Sequence, residues 1–154
     1  MESKSIKTFI GLIGLGYWGK NLLRNFYELN VLHSACDSDA ELLSQKKEQY
    51  PIVHYTTSFK ELLISPEIKA IAIATPAVMH YKLVKESLLA GKDVFVEKPL
   101  ALTVAEGEEL ARLAMREKRI LMVGHILAYH PAVKKLKELI SSGELGKIQY
   151  IYSN

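Results

Sequence analysis

The 154-residue sequence holds a single cysteine, Cys36. A single cysteine rules out an internal disulfide framework. No apolar run approaches the roughly 18 residues that cross a bilayer, so a membrane partner is not expected. The opening Met-Glu-Ser-Lys-Ser-Ile-Lys lacks the basic-then-apolar order of a secretion signal, and a reducing cytoplasm is the expected setting. An excess of one charge sign is missing too. Twenty Lys plus Arg against seventeen Asp plus Glu leave +3, spread no more densely than pairs such as Lys46-Lys47 and Lys134-Lys135, too diffuse for nucleic acid. Low-complexity tracts and fixed-period repeats are absent, and 49% apolar with 24% charged residues predicts a folded domain rather than a disordered chain.

What is present is an alternation. Between about residues 7 and 125, short apolar runs trade places with longer segments of helical period, the pattern of βαβ units around a parallel sheet. Strands are expected at Thr8–Ile13, Val31–Cys36, Ile52–Tyr55, Ala70–Ala74, Asp93–Val96 and Ile120–Val123. Ala70-Ile-Ala-Ile-Ala74 is apolar on both faces, as a central parallel strand requires. Ser38 with Glu41, and Thr103 with Glu106, stand at capping-box spacing. Thr75-Pro76 reads as a cap followed by proline at the first helical position, closed at Gly91. Ala132, Val133, Leu136, Leu139 and Ile140 repeat at three and four, predicting one buried stripe that ends near Gly143. Lys147–Tyr152 reads as a new strand, Leu22, Leu23, Phe26 and Tyr27 as core candidates, and Met115 and Met122 as core filler.

The densest glycine stretch follows the first strand: Ile10-Gly-Leu-Ile-Gly-Leu-Gly-Tyr-Trp-Gly19. Gly14, Gly16 and Gly19 have the G-x-G-x-x-G spacing. The first permits a tight turn, the second lets a diphosphate approach the backbone, and the third lets the helix lie close on the sheet. Phosphate would sit on the helix amino terminus, where free amides and the dipole favour negative charge. Asp37, eighteen positions after Gly19, closes the second strand where a carboxylate accepts from both adenosine ribose hydroxyls and repels a 2′-phosphate. No arginine follows it closely, so NAD is expected over NADP. The alternative is that Asp37 caps the next helix and the glycines form an empty turn.

Four separated motifs extend the pattern: Gly14-Leu-Gly-Tyr-Trp-Gly19, Ala74-Thr-Pro76 followed by His80, Glu97-Lys-Pro99, and Gly124-His-Ile-Leu-Ala-Tyr-His-Pro131. In this order the chain resembles the amino-terminal half of the glucose-fructose oxidoreductase, inositol dehydrogenase and rhizopine catabolism (Gfo/Idh/MocA) family. The resemblance implies a Rossmann-type doubly wound parallel sheet over residues 1–145. It implies that Tyr17 and Trp18 turn their amides to the diphosphate, that Asp37 and Ser38 hold the adenosine ribose, and that Thr75 and Pro76 line the cofactor cleft with His80 one turn along. Glu97 would approach the nicotinamide ribose. Lys98 resembles the family's catalytic lysine, aimed at the substrate oxygen.

The chemistry of Lys98 can also be argued directly. Hydride leaving a carbinol carbon requires the hydroxyl to lose its proton, and a nearby ammonium stabilises the developing alkoxide. Pro99 disfavours helical geometry at Lys98. A solvated loop lysine is the alternative. His125 and His130 match no common zinc spacing, and no metal is expected. His125 resembles a histidine of family members that oxidise nucleotide-linked amino sugars, but Ala128 stands where those have arginine. Contact with cofactor or substrate and simple strand-end packing both remain open for it.

The resemblance further implies a carboxyl-terminal α+β domain carrying much of the substrate site and the homo-oligomer interface, with residues 146–154 as its beginning. The chain is expected to be a fragment of such a dehydrogenase, the alternative being a natural stand-alone domain. Two functions follow. One is an NAD-dependent oxidoreductase acting on a sugar, polyol or sugar-nucleotide hydroxyl. The other is a non-catalytic NAD(H)-binding module or redox sensor.

Overall fold

The computed structural model describes residues 9–152. They form two compact units, one ending at Gly124 and one running from His125, ahead of the boundary expected at residue 145. The first unit carries six strands: β1 (Phe9–Ile13), β2 (Leu32–Cys36), β3 (His54–Thr56), β4 (Ile68–Ile73), β5 (Asp93–Val96) and β6 (Leu121–Val123). All six expected strands are found with small shifts of boundary; Thr8 lies outside the described residues. Between them run α1 (Gly19–Glu28), α2 (Ala40–Gln49), α3 (Phe59–Ile64), α4 (His80–Leu89) and α5 (Val104–Arg116).

The sheet is wholly parallel in the order β3-β2-β1-β4-β5-β6. The chain winds outward from β1 one way and from β4 the other, so the topology reverses between those two strands. In open α/β sheets ligands bind at that switch, beyond the strands' carboxyl ends. This is the doubly wound Rossmann-type sheet that the sequence pattern implies.

Two apolar clusters cover the two faces. Alternate residues divide between them: Ile13, Cys36, Ile71 and Ile73 pack with Leu62, Leu83, Val84, Leu88 and Leu110, whereas Leu12, Ala35 and Ala72 pack with Leu23 and Leu43. Successive strand residues point to opposite faces. Helices on both sides therefore require apolar residues at every position, and the central strands of this chain supply them. Of the candidates on α1, Leu23 is fully buried, with Leu22, Phe26 and Tyr27 partly buried around it.

Helix ends differ from expectation in two places. Thr103 and Glu106 form the full capping box, each side chain bonded to the other's backbone amide at 3.2 Å. Asp39, not Ser38, caps α2: its carboxylate accepts from the Glu41 and Leu42 amides at 3.0 Å. The chain is still turning at Ser38, because Asp37 takes the Asp39 amide and moves the cap one residue on. Thr75 caps nothing. Pro76 is extended, a 3-10 turn covers Ala77–Met79, and α4 starts only at His80. Gly91, at φ +73°, closes α4 in a Schellman arrangement, with Gly91 bonded to Leu88 and Lys92 to Ser87.

Met115 and Met122 are not core filler; they are 76% and 40% exposed. In the second unit a 3-10 turn (Ile126–Tyr129) leads into α6 (Pro131–Ser141). The expected buried stripe is exposed, with Val133, Leu136 and Ile140 each at 38% or more. Lys147–Tyr152 is irregular and exposed rather than a strand, since a strand is stable only with a paired neighbour.

Candidate functional site

Four backbone bonds extend the ladders one residue past the strands: Gly14 N–H to the Cys36 carbonyl (2.8 Å), Ala74 to Ile13 (2.8 Å), Glu97 to Ile73 (2.9 Å) and Gly124 to Val96 (2.8 Å). They set the ends of β1, β2, β4, β5 and β6 in a row along the carboxyl edge. The glycine loop fits into this row by contact. Gly14 has φ +92°, and a Cβ there would lie 2.7 Å from the Ala74 carbonyl oxygen and 2.9 Å from the Thr75 nitrogen. A Cβ on Gly19 would strike the Gly14 carbonyl, whereas one on Gly16 would meet nothing within 4 Å. Gly14 and Gly19 are thus demanded by packing. Gly16 faces open space where a diphosphate can reach the α1 amino terminus.

Asp37 ties the loop to β2. Its Oδ2 accepts from the Leu15 amide at 2.6 Å and its Oδ1 from the Asp39 amide at 3.0 Å. Each carboxylate oxygen can accept more than one bond, so both ribose hydroxyls can still donate to it. A cleft of about 540 Å³ opens here, lined by Gly14, Gly16, Asp37, Ser38, Thr75 and Pro76, all expected at the site. Cys36 and Asp39, together with Leu42 on α2, Thr57 and Phe59 after β3, and Met79 and Leu83 after β4, join them unforeseen. Thr57 and Phe59 had a readable signal, since they follow the strand beside β2.

Polar atoms without partners mark the neighbouring strand ends. Among the described residues, Thr75 Oγ1 and Glu97 Oε1 are buried with no hydrogen bond. Such atoms cost free energy unless something supplies a partner, and a hydroxyl- and amide-bearing ligand would. The Glu97 carboxylate lies so close to Gly124 that a Cβ there would come within 3.1 Å of Oε2. Lys98 is exposed in the following turn, before Pro99. His80 is not at the surface of the cleft: it is 1% exposed, with both ring nitrogens against backbone carbonyls.

Comparison with known proteins decides the family. Residues 9–125 match the profile of the Gfo/Idh/MocA group, described as an oxidoreductase family with an NAD-binding Rossmann fold. The chain belongs to this family. Over 146 residues it is 33% identical to 1-carboxy-3-chloro-3,4-dihydroxycyclohexa-1,5-diene dehydrogenase of Comamonas testosteroni, covering 94% of this chain and 37% of that protein. Myo-inositol 2-dehydrogenase of Lactobacillus plantarum superposes with TM-score 0.83 at 28% identity, covering 92% and 43%. Biliverdin reductase of Synechocystis, solved with biliverdin and NADP+, gives 0.78 at 27%, covering 88% and 43%. The chain spans about two fifths of the length of these relatives.

As a Gfo/Idh/MocA chain its expected site residues divide three ways. Gly14, Gly16, Asp37, Ser38, Thr75 and Pro76 share the cleft. Tyr17 and Trp18 lie in the loop before α1, their side chains 85% and 38% exposed, while Gly19 opens the helix. Glu97 and Lys98 follow β5, one strand beyond β4, and His125 begins the second unit. Among the described residues no group of three or more His, Cys, Asp or Glu could hold a metal ion, and no helix is long and apolar enough to cross a membrane.

Proposed function

We propose that this chain is the nucleotide-binding part of an NAD-dependent oxidoreductase that acts on a hydroxyl of a sugar, polyol or sugar nucleotide. The observation that carries the reading is the pair of buried, partnerless acceptors, Thr75 Oγ1 and Glu97 Oε1, beside a glycine loop held open at Gly16. The loop amides bind the diphosphate, with the α1 dipole behind them. Asp37 accepts from the adenosine ribose and, with Asp39 and Glu41 on the same corner, repels a 2′-phosphate; that corner supports NAD over NADP. Leu42, Thr57 and Phe59 give the adenine an apolar recess. Glu97 accepts from the nicotinamide ribose. Nicotinamide, when bound, accepts or supplies the hydride. Lys98 would hold the substrate oxygen by hydrogen bond and stabilise the negative charge that develops on it.

The sugar-type substrate is supported by relatives such as the inositol dehydrogenase and by UDP-N-acetylglucosamine 3-dehydrogenase of Acidithiobacillus ferrooxidans, 27% identical. Calorimetric titration of this chain with NADH and NADPH tests the cofactor half. NADH should bind and NADPH more weakly; failure of both at millimolar concentration would defeat the reading, and tighter NADPH would reverse its cofactor choice. Steady-state assay of the complete gene product against UDP-sugars and inositols tests the substrate half; turnover of none of them would defeat it.

A further inference from the structure

β4 and β5 stay paired up to the bond between the Glu97 amide and the Ile73 carbonyl, and beyond it the two chains part. Thr75-Pro76 runs into the turn before α4, and Lys98-Pro99 runs toward α5, with no backbone hydrogen bond between them. One side chain spans the gap. His80, the first residue of α4, sets Nε2 at 2.9 Å from the Thr75 carbonyl oxygen and Nδ1 at 2.6 Å from the Pro99 carbonyl oxygen.

We infer that His80 is a positioning residue that fixes the Lys98-Pro99 turn against the cofactor-lining Thr75, and so holds Lys98 and Glu97 at the nicotinamide end of the cleft. His80 touches no ligand itself; it is 1% exposed and both nitrogens are taken. Imidazole suits the task by shape. Its two nitrogens lie on separate edges of a rigid ring, so it can reach carbonyls on two diverging segments, whereas one carboxamide nitrogen on a flexible stem reaches one of them. A ring with a single proton donates to one carbonyl only, and a ring protonated at both nitrogens donates to both. The five-residue step from Thr75 to His80 is set by the extended Pro76 and the 3-10 turn. A cap at Thr75 would have begun α4 earlier and turned this position elsewhere.

The inference rests on the nucleotide-binding reading, and its test separates the two. ADP keeps the adenosine and diphosphate of NADH and lacks the nicotinamide ribose that Glu97 accepts from. The affinities of NADH and ADP are measured by calorimetry for the wild-type chain, His80→Gln and His80→Phe, with circular dichroism to confirm folding. In the variants NADH should weaken by about tenfold, the worth of one or two net hydrogen bonds, while ADP stays within about twofold. Equal weakening of both ligands, which a merely structural histidine would give, overturns the inference, as does no weakening of either. Wild-type chain that binds neither ligand removes the site and the inference with it; wild-type binding with unselective variants removes the inference alone. Should the variants fail to fold, uniformly 15N-labelled wild type is read by NMR. His80 and Lys98 amide signals moved by NADH and not by ADP support it; signals that NADH leaves in place overturn it.

Discussion

At the scale of single residues, the same letter means different things in different places. Lys98 is exposed in the turn after β5 at the sheet's carboxyl edge, while Lys92 is 8% exposed at the opposite edge and donates to the Ser65 and Ile68 carbonyls at 2.7 Å. Burial lowers the Lys92 pKa, with Lys69 adding to it. In the proposed mechanism Lys98→Ala removes only the group that stabilises the reacting oxygen. Turnover by the whole enzyme should fall by about a hundredfold or more, with NADH affinity unchanged, which kcat and Kd measured side by side would check. Cys36 offers a pH test. Burial first, then the Asp37 and Glu61 carboxylates, pushes its thiol from the ordinary 9.0 up to about 11. Between those values the unfolded chain gives up the proton and the folded chain keeps it. Its contribution to stability is therefore complete below pH 9 and lost as the pH rises through 11, on the order of 2 kcal/mol. Urea melts from pH 8 to 11 should show wild type losing stability more steeply than Cys36→Ala; parallel slopes would refute the assignment.

Elements reveal which local signals are self-sufficient. The capping box of α5 needs only Thr103, Glu106 and the first turn, so it forms as the spacing predicts. Thr103→Ala should cost about 1 kcal/mol in chemical denaturation. Caps that compete with a tertiary contact behave otherwise: Asp37 is drawn to the Leu15 amide in the glycine loop, and the α2 cap moves to Asp39. Within the loop, two glycine substitutions should separate folding from binding. Gly14→Ala meets both φ +92° and the Ala74 carbonyl, and should lose at least about 2 kcal/mol. Gly16→Ala meets nothing in the protein; its thermal midpoint should stay within about 2 °C, while NADH affinity falls because the methyl occupies the diphosphate's approach. If Gly16→Ala binds as wild type, the diphosphate does not pass there.

For the molecule as a whole, stability is concentrated in the first unit. β1 and β4 lie centrally between two apolar clusters, and their side chains from Leu12 to Ile13 and Ile71 to Ile73 are at most 4% exposed. No residue of α6 is buried. Hydrogen exchange followed by mass spectrometry should therefore show the slowest amides in β1 and β4 and much faster exchange throughout α6. Equal protection of α6 and β4 would contradict this.

What the sequence alone determined about this protein is the periodic part: six strands and the helices between them. Each of these is set by neighbours a few residues away, through alternation, turn chemistry or cap spacing. The tertiary structure alone decided which distant groups meet. His80 lies five residues from Thr75 and nineteen from Pro99 in the chain, and only the pairing of β4 with β5 brings those carbonyls to either side of its ring. Thr57 and Phe59 enter the cleft because β3 pairs with β2. The stripe on α6 reads as amphipathic from spacing alone, yet spacing cannot supply the surface it would bury against, and exposure is a property of that surface as much as of the helix.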